Sequence, residues 1–170
     1  MAPGLPVTRR WFARVGALGA AGLSLGTVAG GAPADAAPGL RSTLLMELAL
    51  DVAGAHDAGP RRIIPVTGGT FRGPRLRGRV LGGGGGWRID RPDGAGELNL
   101  RATLETDDGE LIYLWSRGIA RQPVGGTPYV RTTPVFETAS ARYGWLNRLV
   151  AVGVGRDKPR RAAYRVYEIL

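Results

Sequence analysis

The sequence predicts an all-β protein: a single antiparallel, closed β-barrel of about eight strands. Three observations predict it. Hydrophobic alternation with a period of two runs through most of the chain beyond Arg41. Turn sequences separate the alternating segments, at Arg91-Pro-Asp-Gly94 and Asp107-Asp-Gly109, where Gly accepts positive φ and Asp tolerates it. No segment carries a helical stripe longer than one turn. Hairpins that follow one another could also stack as a sandwich, but closure removes the exposed edges, and the barrel is therefore expected.

The chain opens with Thr8-Arg9-Arg10-Trp11-Phe12, a weakly apolar Gly- and Ala-rich run from Val15 to Gly30, and the small-x-small triplet Ala34-Asp35-Ala36. Together these read as a twin-arginine export signal over residues 1–36. The apolar run, about sixteen residues, is short for a span of roughly twenty, so no stable membrane anchor is expected after cleavage. Residues 37–170 form the barrel domain, long enough for one core, and extracellular or periplasmic.

The first strand is Ser42–Val52, with Met46, Leu48, Leu50 and Val52 on one face and Glu47 and Asp51 on the other. "AGAHDAGPRR" reads as a loop holding the single histidine, His56, which is expected to be solvated. Ile63–Val66 is a strand, followed by a bend at Gly68-Gly-Thr70. Arg75, Arg77 and Arg79 alternate with Leu76, Gly78 and Val80. The five glycines Gly82–Gly86 read as a flexible turn into the strand Trp87–Asp90. They are not a phosphate loop, since neither a following helix nor Lys-Ser/Thr is present. In Glu97–Glu105, Leu98, Leu100, Ala102 and Leu104 alternate with polar residues. In Glu110–Gly118, Leu111, Tyr113, Trp115 and Arg117 alternate with Ile112, Leu114 and Ser116. Tyr129–Thr138, Leu149–Val154 and Ala163–Leu170 complete the strands, with one helical turn near 141–147.

Composition narrows the chemistry. There is no cysteine and one histidine, which excludes disulfides, thiolate metal sites and sites needing two histidines from one chain. No cofactor motif and no metal-binding loop is found. Removing Arg9, Arg10, Arg14 and Asp35 from 23 basic and 14 acidic residues leaves 20 and 13, a net charge of +7. Lys158 is the only lysine. The arginines are scattered rather than clustered, and no nucleic-acid partner is expected. A serine triad lacks both its Gly-x-Ser-x-Gly elbow and a second histidine.

The segments "RRIIPVTGGTFRGPRLRGRVL", "RPDG", "TDDGELIY" and "RTTPVFETASARYGWLNRLVAVGVG" resemble the bacterial and fungal family of domain of unknown function 3237, from about Leu44 to Leu170. The resemblance implies a closed barrel similar in build to lipocalins and allene-oxide cyclases, and no settled activity. Two departures stand out. Gly86 replaces the family's Asp before the tryptophan, and Asn99 and Ala102 occupy the places of Asp and Tyr in the "LDARY" pattern. If those acids work as proton donors or acceptors elsewhere in the family, this chain lacks them. The loop before Tyr129 is also shorter, which opens the barrel mouth.

The candidate catalytic residues are Glu47 and Glu137, because a carboxylate enclosed in a barrel gains proton affinity and can act as a base. The candidate ligand-binding residues are Asn99 and Arg101, Arg131 and Thr133, and the aromatics Tyr113 and Trp115. Arg offers a planar donor fork, and Asn adds a donor and an acceptor. Each also has a structural reading: a solvent-facing strand position, an ion pair, or packing. The expectation is a lumen that binds a small, partly apolar organic molecule, with cofactor-free isomerase, cyclase or lyase chemistry if a carboxylate faces it. The alternatives are a non-catalytic carrier or sensor, and an interaction barrel without a pocket. Homo-oligomerisation is left open.

Overall fold

The computed structural model describes residues 39–158 and 160–170. The export signal expected over residues 1–36 lies outside them. The strands are β1 (Ser42–Val52), β2 (His56–Ala58), β3 (Arg61–Arg72), β4 (Arg77–Asp90), β5 (Ala95–Thr106), β6 (Leu111–Arg121), β7 (Tyr129–Glu137), β8 (Ala151–Lys158) and β9 (Arg161–Ile169). They pair in the order β1-β9-β8-β7-β6-β5-β4-β3, and β1 returns to β3, closing an eight-stranded antiparallel barrel. β2 adds three residues to the start of β3. A single 3-10 turn, Gly144–Arg148, is the helical element among the described residues, at the place expected for it.

Hairpin connections follow the turn chemistry. Gly94 N–H donates to the Arg91 carbonyl at 3.0 Å with φ +79°, and Gly109 N–H to the Thr106 carbonyl at 2.9 Å with φ +86°. Long neighbouring strands then pair without a break from Ala95↔Arg121 to Glu105↔Leu111.

Three sequence expectations are corrected. His56 lies in the short, exposed strand β2, not in a loop. Gly68-Gly-Thr70 does not end its strand: β3 continues to Arg72. Gly82–Gly86 is likewise not a turn but part of β4. Register jumps from Val66↔Gly84 to Gly69↔Val80 between β3 and β4, and from Leu81↔Thr103 to Gly85↔Arg101 between β4 and β5. Both jumps are bulges that bend the sheet round a barrel corner. Gly69 sits where β1 closes on β3. Its φ is +144°, and a Cβ there would run into the Ala49 carbonyl, so only glycine allows the two strands to approach.

The apolar rows point inward. Met46, Leu48 and Leu50 of β1, Val66 and Phe71 of β3, Val80 of β4, Ala102 and Leu104 of β5, Ile112 and Leu114 of β6, Phe136 of β7 and Val166 of β9 are all buried in one core. One end of the barrel is plugged. Leu146 of the 3-10 turn and Tyr143 enter the core. The Tyr143 hydroxyl donates to Asp108 Oδ1 at 2.9 Å, and Arg142 meets Asp108 Oδ2 at 2.7 Å. Asn147 ties the turn to Thr138 through two hydrogen bonds of 2.9 Å.

Candidate functional site

The opposite end of the lumen is open. It holds a cavity of about 260 Å³, bordered by Leu50, Val52, Ile64, Val66, Leu98, Leu100, Ala162 and Tyr164. An eight-stranded barrel is just wide enough for its side chains to fill. Here the glycines of the β4 corner and the small Ala162 leave space. Gly86 stands between Ile64 and Leu100 in the pairing, so no side chain projects into the cavity from that position.

Three arginines reach the rim: Arg62, Arg88 and Arg161. Arg62 pairs directly with Arg88, and Arg88 with Leu98, on the inner face. The Arg88 guanidinium lies against Gly96, where an added Cβ would be 2.8 Å from Cζ. Asp90 takes Arg88 at 2.6 Å and Arg62 at 3.6 Å, while Asp57 takes Arg62 at 3.2 Å. Arg161 and Asp51 stand 4.0 Å apart. Among the described residues, no Asp, Glu or His lines the cavity. One polar atom below it lacks a partner: Ser116 Oγ, in a residue 3% exposed, has no hydrogen-bond partner in the protein. Ser116 pairs with Leu100, which borders the cavity.

The residues singled out from the sequence sit at outer-face positions of their strands, and of them Asn99, beside Trp87, also borders the cavity. Glu47 pairs across the sheet with Arg72 and Arg165, and its Oε1 accepts from Arg165 Nε at 3.1 Å, with the carboxylate side chain 59% exposed. Glu137 is exposed, opposite Tyr113. Neither carboxylate borders the cavity, so neither is placed for the proton chemistry for which the two were candidates. The reason is elementary. A narrow lumen cannot hydrate a row of arginines and carboxylates, and an unpaired buried charge costs several kcal/mol, on the order of a small domain's whole stability.

On that outer face some of the residues do meet. Trp115 Nε1 donates to Asn99 Oδ1 at 3.0 Å. The Arg101 guanidinium lies 5.5 Å from the centre of the Trp87 ring. Arg131 stacks 4.5 Å from the Tyr129 ring, and the Thr133 hydroxyl donates to the Arg117 carbonyl at 3.3 Å. Asn99, Arg131 and Thr133 border a shallow groove. Tyr113 lies apart, nearer the plugged end. Sequence reasoning missed Arg62, Arg88, Ser116 and Arg117. Arg88 was legible in principle, since it alternates with Trp87 and Ile89, but reading the glycine run as a turn cut that alternation to four residues.

Fold and site define an antiparallel barrel with an apolar lumen, plugged at one end and open at the other through an arginine rim. Residues 38–169 match the family described as "Protein of unknown function (DUF3237)", and the chain belongs to that family. It is 36% identical over 131 residues to the UPF0311 protein RPA1785 of Rhodopseudomonas palustris, covering 69% of this chain and 86% of the relative. It superposes on a crystal structure described as a beta-barrel like protein from Acinetobacter baumannii with a TM-score of 0.73, at 33% identity over 81% of this chain and all of the other. A structure described as an enzyme from Penicillium herquei shares the fold with a TM-score of 0.62, at 23% identity over 79% of this chain and 98% of the other.

Proposed function

We propose that this barrel is a carrier or sensor that takes a small, largely apolar molecule with a hydrogen-bond acceptor into the open end of its lumen. The carrying observation is the cavity of about 260 Å³, walled mainly by aliphatic side chains with Trp87, Tyr164 and Asn99 among them, and rimmed by Arg62, Arg88 and Arg161. Barrel mouths with an apolar wall and a few convergent polar groups are frequent ligand sites. Guanidinium groups only donate, so the head of the ligand is a carbonyl, ester or carboxylate oxygen. At about 30 Å³ for a water-sized group, the space suits roughly eight or nine such groups. The partnerless hydroxyl of Ser116 offers a second polar contact deeper in.

Acid–base catalysis by a carboxylate or imidazole loses its support in this reading, since proton transfer needs such a group within reach of the substrate and, among the described residues, the cavity lining has neither. The reading also takes the protein as exported, on the strength of Arg9-Arg10 and the triplet Ala34-Asp35-Ala36. The N-terminal residue of the secreted protein tests that part.

Native mass spectrometry of the barrel domain, followed by calorimetric titration with six- to nine-carbon ketones, lactones and acids, tests the binding. Filling the lumen with Ala162→Phe should abolish binding while leaving the fold intact by circular dichroism. Empty protein that binds no member of the series, or an A162F protein that binds as well as wild type, would overturn the reading.

A further inference from the structure

The outer face of β4–β7 carries a groove of about 650 Å³ that the lumenal reading does not use. Two rows of paired residues build it. Trp87, Asn99, Arg117 and Thr133 pair in succession across the four strands, and so do Ile89, Glu97, Ile119 and Arg131. Ile89, Ile119 and Trp87 are half-buried and give the groove an apolar floor. Arg117 and Arg131 occupy diagonal positions on neighbouring strands, a spacing of about 7–8 Å that two long side chains bridge easily.

Part of the outer surface matches its arginines with carboxylates; this groove belongs to the part that, among the described residues, does not, together with Arg72, Arg101 and Arg121. Arg77, Arg79, Arg142 and Arg165 each meet a carboxylate, at 2.9, 2.6, 2.7 and 3.1 Å. Among the described residues, no carboxylate lies within ion-pair distance of Arg61, Arg117 or Arg131. The one acid in the groove, Glu97, is drawn to Arg91 at 3.4 Å. Two of the donors are also held in place. Arg131 Nη1 donates to its neighbour's carbonyl, Val130 O, at 2.9 Å, and its guanidinium rests on Tyr129. Asn99 accepts from Trp115 on its oxygen, which turns its amide donors away from that bond. The groove therefore offers guanidinium and amide donors over an apolar floor, and its one carboxylate among the described residues is engaged by Arg91.

We infer that this groove is a second binding site, for an organic anion. A carboxylate or phosphate group lies between Arg117 and Arg131, and an apolar body rests on Ile89, Ile119 and Trp87. Planar guanidinium forks match such oxyanions, and charge-assisted bonds are the strong class. Trp87 and Asn99 border both spaces, but Arg117, Arg131, Ile89 and Ile119 border only the groove, so the anion-holding part of this site is separate from the lumen.

The test is calorimetric titration of the barrel domain with 2-naphthoate, 1-naphthyl phosphate, methyl 2-naphthoate and inorganic phosphate. At least one naphthyl anion should bind one to one, with the methyl ester and inorganic phosphate each at least about tenfold weaker. Which anion binds tighter separates carboxylate from phosphate. R117Q and R131Q, checked by melting temperature, should each weaken the anion about tenfold or more. Arg117 is exposed, so R117Q keeps the test valid should R131Q unfold. A162F, which fills the lumen, should leave anion binding unchanged. Equal binding of acid and ester, wild-type affinity in R117Q, no binding of either naphthyl anion, or loss of binding in A162F alone would overturn the inference. The last outcome would assign the anion to the lumen and leave the lumenal reading standing.

Discussion

Leu50→Ala and Leu104→Ala form a matched pair that measures whether the lumen is open. Both side chains are fully buried, at 1% and 0% exposure. Leu50 borders the cavity of about 260 Å³. Leu104 stands between Val80 and Ile112 in the sealed middle of the barrel. Truncating a core leucine costs about 2.7 kcal/mol when no new void remains, plus about 24 cal/mol for each Å³ that does, reaching about 5 kcal/mol. At Leu104 nothing adjoins the lost volume, so the cost should fall near 4–5 kcal/mol. At Leu50 the lost volume merges with space already open to solvent, so the cost should stay near 2.5–3 kcal/mol. The expected gap is thus about 1.5–2 kcal/mol. Equilibrium denaturation in urea followed by tryptophan fluorescence reads it, provided the denaturant slope is unchanged. L50A should also admit ligands two or three carbons longer, with affinity gained rather than lost along the series. Equal losses in the two variants would refute the open lumen, and with it the size argument for the ligand.

Ser116→Ala removes a buried hydroxyl that has no partner, so it should be neutral or stabilising by up to about 1 kcal/mol in chemical denaturation, while weakening lumenal ligands in titration; a large loss of stability would contradict that account. Gly69→Ala forces a Cβ into the Ala49 carbonyl at a positive φ and should cost about 2–4 kcal/mol, read as a lower unfolding midpoint. Asp108 is held below the ordinary carboxylate range, first by the Thr106 hydroxyl and then by the Tyr143 hydroxyl. Its contribution is therefore present above about pH 4 and fades as pH falls through the lowered value. The melting temperature of wild type should exceed that of D108N at neutral pH and converge on it in acid; parallel curves would show that the plug does not depend on this carboxylate.

The strands were legible because alternation is a two-residue signal and most of this chain keeps it. Ser42–Val52 is read to the residue, and the hairpins at Arg91–Gly94 and Asp107–Gly109 follow from their Asp-Gly steps. The β3–β4 corner was not legible. Five glycines carry no side chains to alternate, and the two bulges that keep Gly82–Gly86 in β4 arise from pairing with β3 and β5, which lie outside any local window. The plug was half legible. The helical turn is visible in Tyr143-Gly-Trp-Leu-Asn147, but its attachment through Tyr143 and Asp108 joins residues 35 apart.

Which face turns inward is the question on which the site depended, and alternation alone does not answer it. Barrel size does. With eight strands the lumen accommodates side chains and little else, so the row that can lose its water without compensation must occupy it. Leu98, Leu100, Ala102 and Leu104 can, and Glu97, Asn99, Arg101 and Glu105 cannot. The polar row of β5 therefore joins its neighbours outside, where Arg79 finds Glu105 at 2.6 Å and Trp115 finds Asn99. The inner row leaves room beside Gly86 and Ala162, where its side chains run short and which both border the cavity, while the space over Gly96 is taken by the Arg88 guanidinium. Both lie toward the open end. The cavity thus follows from where the small residues fall along the strands, and the rim from Arg62 and Arg88, inner positions beyond them that can reach water, joined by Arg161 from the outer row.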